Sequence, residues 1–159
     1  MTATHTHTRP SYVYVASSWR NPIQIAVCAA LRAADIDHYD FKNPQPGEEG
    51  FNWSEVGMPS YLRSENNPVP VDEYLAGMQH PAALAGFERD MAAMERADTF
   101  VLVQRCGVSA HLELGWAAGK GKRTAVLLED PCVPDLMYGM CDFLAPSLLD
   151  LLGWLGVED

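Results

Sequence analysis

The sequence predicts an α/β fold: a single-domain three-layer sandwich, Rossmann-like or flavodoxin-like, with four to five mostly parallel strands. Apolar, β-branched runs alternate with helical segments along the chain, which is the pattern of strands covered by helices. The first strand, turn, helix and second strand form a βαβ unit, and such a unit joins parallel strands. At 159 residues with 48% apolar content, the chain has the size and composition of one folded domain.

The first βαβ unit is well marked. Residues 12–17 (YVYVAS) alternate aromatic and β-branched residues and predict a buried strand. Asn21 is a good N-cap, and Pro22 suits the first helical position. The apolar stripe of the following residues predicts a helix, and residues 36–41 predict a second strand.

The next segment predicts an insertion or lid. Residues 42–71 are rich in Pro, Gly, Asn and Glu and contain Phe51, Trp53 and Tyr61. A loop of this length inside a small domain is either functional or disordered. The polar residues 1–10 predict a disordered tail, so the predicted domain is 11–159.

The second half returns to regular elements. Residues 81–97 predict a helix with Leu84, Phe87, Met91 and Met94 on one face. Strands are predicted at 99–104 and 123–128, and Ser109 is the expected N-cap of the helix between them. The tail predicts a short strand and a closing helix.

Charge and composition exclude several classes of protein. Eleven basic and 21 acidic residues give a net charge of −10, which opposes general nucleic-acid binding. No stretch reaches the length of a membrane span, and no signal peptide is visible. The four cysteines have no C-x-x-C spacing and are expected to be reduced and mostly buried, so a cytoplasmic location is expected.

Ligands of open parallel sheets bind beyond the carboxyl ends of the strands. This rule nominates the loop 17–21, the insertion after Phe41 and the turn 105–109 with the helix that follows. That helix carries Glu113 among apolar neighbours, either on the polar edge of the helix or pointing into the cleft. In the cleft, partial burial would make it a better nucleophile.

Other chemistries lack their patterns. The turn 105–109 has neither G-x-G-x-x-G nor G-x-x-x-x-G-K-[ST], and there is no G-x-S-x-G elbow. Ser109 and His111, two apart on a helix, would not face each other. The histidines and cysteines form no ligand-spaced cluster, so neither a metal nor a cofactor is expected.

Three segments resemble the nucleoside 2-deoxyribosyltransferase family, including its nucleoside-monophosphate N-glycosidase relatives. They are YVYVASSWRN (12–21), FERDMAAMERADTFVLVQ (87–104) and SAHLELGWAAGKGKRTAVLL (109–128). The last is the most specific, because ELGWA at 113–117 matches the family's E-x-G-aromatic-A signature. The resemblance covers about half the chain and implies an enzyme that cleaves or transfers an N-glycosidic bond.

The resemblance implies roles for individual residues. Glu113 matches the nucleophilic glutamate that forms a covalent glycosyl-enzyme. Tyr14 is similar to the tyrosine that orients it, with Tyr12 as the alternative. Asp90 resembles an aspartate near the base or the sugar. Asp98 fits a cap or turn position.

Further positions would bind substrate. The loop formed by Ser17, Ser18, Trp19 and Arg20 resembles a phosphate-gripping loop. The segment Asp135-Leu136-Met137 resembles an element that reaches into the neighbouring subunit's site, which implies a homodimer or larger homo-oligomer with a shared active site.

One departure affects base recognition. Gly107 stands where the transferases have a base-binding aspartate, so Asp90, Ser109, His111 or the insertion is expected to hold the base. Asp135 would repel a phosphate, whereas Arg20 would attract one. Nucleoside and nucleotide therefore both remain open, with a preference for the neutral nucleoside, and so do transfer and hydrolysis.

Two rival functions are kept. One is an N-glycosidase acting on an NAD-like dinucleotide, with Trp19, Trp53 or Trp116 stacking on its rings. The other is a non-catalytic module that binds a nucleoside or nucleotide, because fold alone does not fix function.

Overall fold

The structure is a computed structural model that describes residues 8–58, 68–128 and 131–157. The described residues fall into two compact units, Met1–Asp40 with Arg96–Asp159 and Phe41–Glu95. Parts of the predicted tail (1–7) and of the predicted insertion (59–67) lie outside the described residues. The single-domain organisation stays a prediction.

The first unit is built on one parallel sheet. Its strands are β1 (Val13–Ala16), β2 (His38–Asp40), β3 (Thr99–Val103), β4 (Arg123–Leu127) and β5 (Phe143–Ala145). They pair in the order β2-β1-β3-β4-β5, and every pair is parallel. The predicted α/β class with a mostly parallel sheet is confirmed, and the order is that of flavodoxin-like folds.

Helices cover both faces of this sheet. Helices α1 (Pro22–Ala33) and α5 (Leu148–Trp154) contribute side chains to one apolar core with alternate residues of β1, β3 and β4. Helix α4 (Val108–Gly119) packs on β1, β3 and β4, and its Trp116 lies against Phe100, with ring centroids 6.1 Å apart. Asn21 and Pro22 begin α1 as predicted, since the Asn21 side chain accepts from the N–H of Ile23.

The second unit contains helix α2 (Val71–Met78) and helix α3 (Pro81–Arg96) as far as Glu95, with a short 3-10 helix at Trp53–Val56. Phe51 packs directly over Gly86, and Trp53 contacts the rings of Phe51 and Tyr74 at 5.2 and 5.7 Å. The aromatic residues of the predicted insertion therefore pack, at least within its described part.

Two predictions, on the N-cap of α4 and on the burial of the cysteines, are wrong. Ser109 is not the N-cap of α4, because the helix already begins at Val108, with Gly107 in an extended conformation at the cap. Only Cys28 is buried among the four free cysteines, and the other three are half-buried.

None of the helices formed by the described residues is long and apolar enough to cross a membrane.

Candidate active site

One cavity lies where the strand order reverses. Strands β1 and β3 are neighbours, and their connections leave the carboxyl edge of the sheet in opposite directions, which is where ligands bind in such folds. A cavity of about 490 Å³ opens at this point, and we call it the switch-point cavity. It is lined by Ser18, Arg20, Asn21, Pro22, Ile23, Arg105, Cys106 and Gly107.

Two loops form this cavity, and both carry an arginine. Arg20 comes from the β1–α1 loop and Arg105 from the β3–α4 loop. Both side chains are exposed, so each guanidinium can meet a ligand without first leaving a buried position. In a chain with a net charge of −10, two cations in one cavity form a locally positive site.

Glu113 lies on the second turn of α4, the helix whose N-cap residue Gly107 lines the switch-point cavity. Glu113 itself lines neither of the two cavities found among the described residues. Its side chain is half-buried. Burial, together with the nearby charge of Glu113, raises the pKa of the Cys106 thiol to about 12. Cys106 itself lines the switch-point cavity.

Tyr14 is fully buried at the centre of an aromatic row on one face of the sheet. Its ring stacks between those of Tyr39 and Phe100, with centroids at 5.3 and 5.0 Å. Phe100 in turn contacts Trp116, so Tyr14 lies on the face of the sheet that α4 covers. That Tyr14 orients Glu113 stays a prediction.

Tyr12, the alternative to Tyr14, lies at the other edge of the sheet. It precedes the first residue of β1, and Arg96 stacks on its ring at 3.8 Å. Burial raises the pKa of Tyr12, against the opposing charge of Arg96 and with a smaller contribution from Asp37. The carboxyl edge, where the cavity lies, is at the opposite end of β1.

A second cavity of about 580 Å³ is also lined by part of the β3–α4 loop. Arg105 lines both cavities. The remaining lining residues are Gln104, His111, Pro131, Cys132, Val133, Pro134, Asp135 and Tyr138.

A hydrogen-bonded chain runs along the second cavity. His111 Nδ1 lies 2.8 Å from the carbonyl oxygen of Gly107, so this nitrogen carries the proton. Nε2 is then the acceptor for the Tyr138 hydroxyl at 2.9 Å, and the amide of Gln104 donates to the same hydroxyl oxygen. Burial first, then the charges of Cys106 and Asp135, raises the pKa of Tyr138 to about 12, which keeps this hydroxyl a donor.

Only some of the other predicted binding residues line the switch-point cavity. Ser18, Arg20 and Gly107 line the switch-point cavity. Ser17 turns its hydroxyl to the carbonyl of Val103 at 2.9 Å, and Trp19 and Ser109 are exposed and line neither cavity of the described residues.

Two predicted residues lie near the second cavity instead. Asp135 lines it and caps the 3-10 helix Leu136–Met140 by accepting from the N–H of Met137 at 2.8 Å. The Met137 side chain is largely exposed. Asp90 and Trp53 belong to the second unit, where Asp90 is half-buried on α3.

Sequence reasoning missed several residues of these cavities. Asn21 was recognised as a helix cap, but not as a residue of the cavity wall. Gln104 and Tyr138 had no signal, because their contact joins positions 34 apart in the chain. His111, one of the candidates for holding the base, lines the second cavity. Among the described residues there is no group of three His, Cys, Asp or Glu that could hold a metal ion.

The architecture and the cavity define the class of protein first: a five-stranded parallel α/β fold with its candidate site at the β1–β3 switch point. Among solved structures, the fold is similar to that of the 2-deoxyribosyltransferase from the psychrotolerant bacterium Bacillus psychrosaccharolyticus. The two are 17% identical, with a TM-score of 0.51, over 88% of this chain and 89% of that one. This likeness confirms the predicted fold.

A second structure, a conserved protein from Enterococcus faecalis V583, is 15% identical with a TM-score of 0.45, over 93% of this chain and 87% of that one. No protein-family model matches the chain, and no curated protein matches it.

Proposed function

We propose that this chain cleaves or transfers the N-glycosidic bond of a nucleoside or nucleotide, with Glu113 as the nucleophile. The carrying observation is the position of Glu113, half-buried on the second turn of α4, the helix whose N-cap residue Gly107 lines the switch-point cavity. The fold shared with a 2-deoxyribosyltransferase and the ELGWA motif at 113–117 support the same reaction class.

The proposed chemistry follows from what a carboxylate can do at an anomeric carbon. A Glu113 oxygen attacks C1′ while the C1′–N bond breaks, and the electron pair leaves with the base, which takes up a proton. Attack on the glycosyl-enzyme by water gives hydrolysis, and attack by a second base gives transfer. Tyr14 is proposed to orient the carboxylate, and Asp90 to serve the base or the sugar.

Two arginines in one cavity favour a substrate with an anionic group. Arg20 and Arg105 both line the switch-point cavity, whereas Asp135, which was expected to repel a phosphate, lines the second cavity. A nucleoside 5′-monophosphate is therefore the preferred substrate and a neutral nucleoside the second candidate, because guanidinium groups match phosphate in charge and geometry.

Exposed apolar helices support the proposed homo-oligomer. In the second unit, the largest exposed apolar side chains on α2 and α3 are Val71, Tyr74, Leu75, Met78, Leu84 and Phe87. On α2 these residues recur at positions 71, 74, 75 and 78, so they share one face of the helix, and an exposed apolar face is a common mark of a protein–protein interface. The four free thiols fit a reducing compartment, and we include a cytoplasmic location in the proposal.

Release of free base tests this proposal directly. The protein is incubated with a panel of deoxynucleosides, ribonucleosides, their 5′-monophosphates and NAD, with and without a second free base. We expect base release, fastest from a monophosphate, and exchange of bases if the enzyme is a transferase. Release from NAD alone would support the dinucleotide rival, and a thermal shift without any release would support a binding module.

A further inference from the structure

Asn21 does more than cap α1. Its side-chain oxygen accepts from the backbone N–H of Ile23 at 2.9 Å, which is the ordinary capping contact. Its side-chain nitrogen points the other way, towards the end of β3. The residue is 6% exposed, so these contacts are shielded from water.

The side-chain nitrogen meets three consecutive carbonyl oxygens. Asn21 Nδ2 lies 2.7 Å from the oxygen of Gln104 and 3.2 Å from those of Val103 and Arg105. The orientation of the amide follows from chemistry: the reversed amide would set its oxygen against three carbonyls and its nitrogen against the N–H of Ile23. The side-chain amide of Asn21 therefore donates hydrogen bonds to the carbonyls at the end of β3.

Those carbonyls belong to the segment that leads into one wall of the switch-point cavity. Arg105, Cys106 and Gly107 all line it, and Asn21 lines it from the other loop. Ser17 reinforces the link, because its hydroxyl donates to the oxygen of Val103 at 2.9 Å and accepts from Asn21 Nδ2 at 3.1 Å. One buried amide thus joins the β1–α1 loop to the β3–α4 loop.

We propose that Asn21 is a positioning residue that holds the β3–α4 loop, and with it Arg105, in the geometry of the switch-point cavity. Buried carbonyl oxygens need hydrogen-bond donors. Removing the Asn21 amide takes away a donor to the carbonyls of Val103, Gln104 and Arg105. An effect of Asn21 on substrate binding rests on the proposed function, whereas its effect on the position of the β3–α4 loop does not depend on that function.

Two substitutions separate this role from helix capping. Both Asn21→Asp and Asn21→Ser retain a side-chain oxygen that can cap α1, but neither keeps the amide donor. The Asn21→Asp variant would also place a carboxylate against the three carbonyls. The capping control is Ser147→Ala, which removes the N-cap contact of α5 without touching the cavity.

Alkylation of Cys106 reports on the loop independently of activity. Wild type and variants are treated with iodoacetamide under native conditions, and each cysteine is followed by peptide mass spectrometry. We expect faster labelling of Cys106 in both Asn21 variants, with unchanged labelling of Cys141 and unchanged behaviour in Ser147→Ala. If Asn21→Asp fails to fold, Asn21→Ser supplies the measurement.

Unchanged labelling of Cys106 would overturn the proposal, because it would show that other contacts hold the loop. Equal acceleration of labelling at all cysteines would also overturn it, because it would show a general loss of stability. Where base release is measurable, KM in the Asn21 variants should rise more than kcat falls. Failure of base release in the wild type would refute the proposed function while leaving the labelling result to decide the role of Asn21.

Discussion

At the scale of single residues, the charge of Glu113 opposes the ionisation of the Cys106 thiol. The half-buried thiol has its pKa raised to about 12, by burial first and by Glu113 second. A thiol with such a pKa is almost wholly protonated near neutral pH and is a poor nucleophile, since the thiolate is the reactive form. We therefore expect the Cys106 thiol to react slowly with alkylating reagents at neutral pH.

Neutralising Glu113 should make Cys106 more reactive. In Glu113→Gln the charge that opposes the thiolate is gone, so the pKa of Cys106 falls and its alkylation at pH 9 accelerates. The rate of iodoacetamide labelling, read at Cys106 with Cys141 as internal reference, measures this. A labelling rate at Cys106 that does not respond would mean that the carboxylate lies too far from the cavity wall.

The roles of single residues could be predicted from the sequence where the interactions involved lie within a few positions along the chain. Asn21 and Pro22 begin α1 as expected, because a capping side chain and a fixed proline φ act within one turn. Ser109 misled, because the cap of α4 is formed by the backbone of Gly107 without a side-chain contact. The second role of Asn21 was not predictable, because its carbonyl partners lie 82 to 84 positions away.

At the scale of elements, the first four strands were predicted to within two residues at each end, and the fifth was predicted only as a short strand in the tail. Their β-branched, apolar runs are typical of strands buried on both faces, and β3 is buried throughout. The apolar face predicted for α3 is only partly covered: Met94 is buried, whereas Leu84 and Phe87 are exposed. Helical periodicity shows which residues share a face, but not what covers that face.

Two helical glycines provide a matched test of packing. Within the second unit, a Cβ at Gly86 of α3 would lie 2.6 Å from the Cβ of Phe51, whereas a Cβ at Gly115 of α4 would meet nothing within 4 Å. Gly86→Ala should destabilise the protein by about 1–3 kcal/mol through overpacking. Gly115→Ala should stabilise it by about 0.5–1 kcal/mol through helix propensity. Urea unfolding measures both, and equal effects would contradict the packing at Phe51.

At the scale of the whole molecule, one carboxylate ties the described start of the chain to β3. Asp98 accepts from the Ser11 N–H at 2.7 Å and from the Thr99 hydroxyl at 2.9 Å, and the Ser11 hydroxyl donates to it as well. Partial burial acts to raise the pKa of Asp98, but these hydrogen bonds outweigh it and hold the pKa below its ordinary value of 3.8.

This shift gives stability a pH dependence on the acid side. Because the folded-state pKa is lowered, the contribution of Asp98 is present above pH 3.8 and is lost as pH falls through the lower, folded-state value. Asp98→Asn should therefore have a lower free energy of unfolding than wild type at pH 7. The difference in unfolding free energy between the two proteins should become smaller as the solution is acidified towards pH 3. Ser11→Ala should show a smaller loss with the same trend. A gap that is constant from pH 7 to pH 3 in urea unfolding would exclude the charged hydrogen bonds as its cause.

The proposed homo-oligomer is also a property of the whole molecule. Phe87 on α3 is 62% exposed, so replacing it costs little in the isolated chain. We expect wild type to be a dimer or larger assembly by light scattering, and Phe87→Asp to dissociate it with little change in secondary structure. Leu149→Asp, at a similarly exposed position on α5 in the other unit, is the control. A monomeric wild type would contradict the proposal.

The central claim is that the carboxylate of Glu113 breaks the glycosidic bond. The most direct measurement is the rate of free-base release by Glu113→Gln, next to Glu88→Gln, whose exposed carboxylate lies on α3. The account predicts a loss of about 10³-fold or more in the first variant, as expected when a nucleophile is removed, and wild-type release in the second. Wild-type release by a folded Glu113→Gln protein would contradict it.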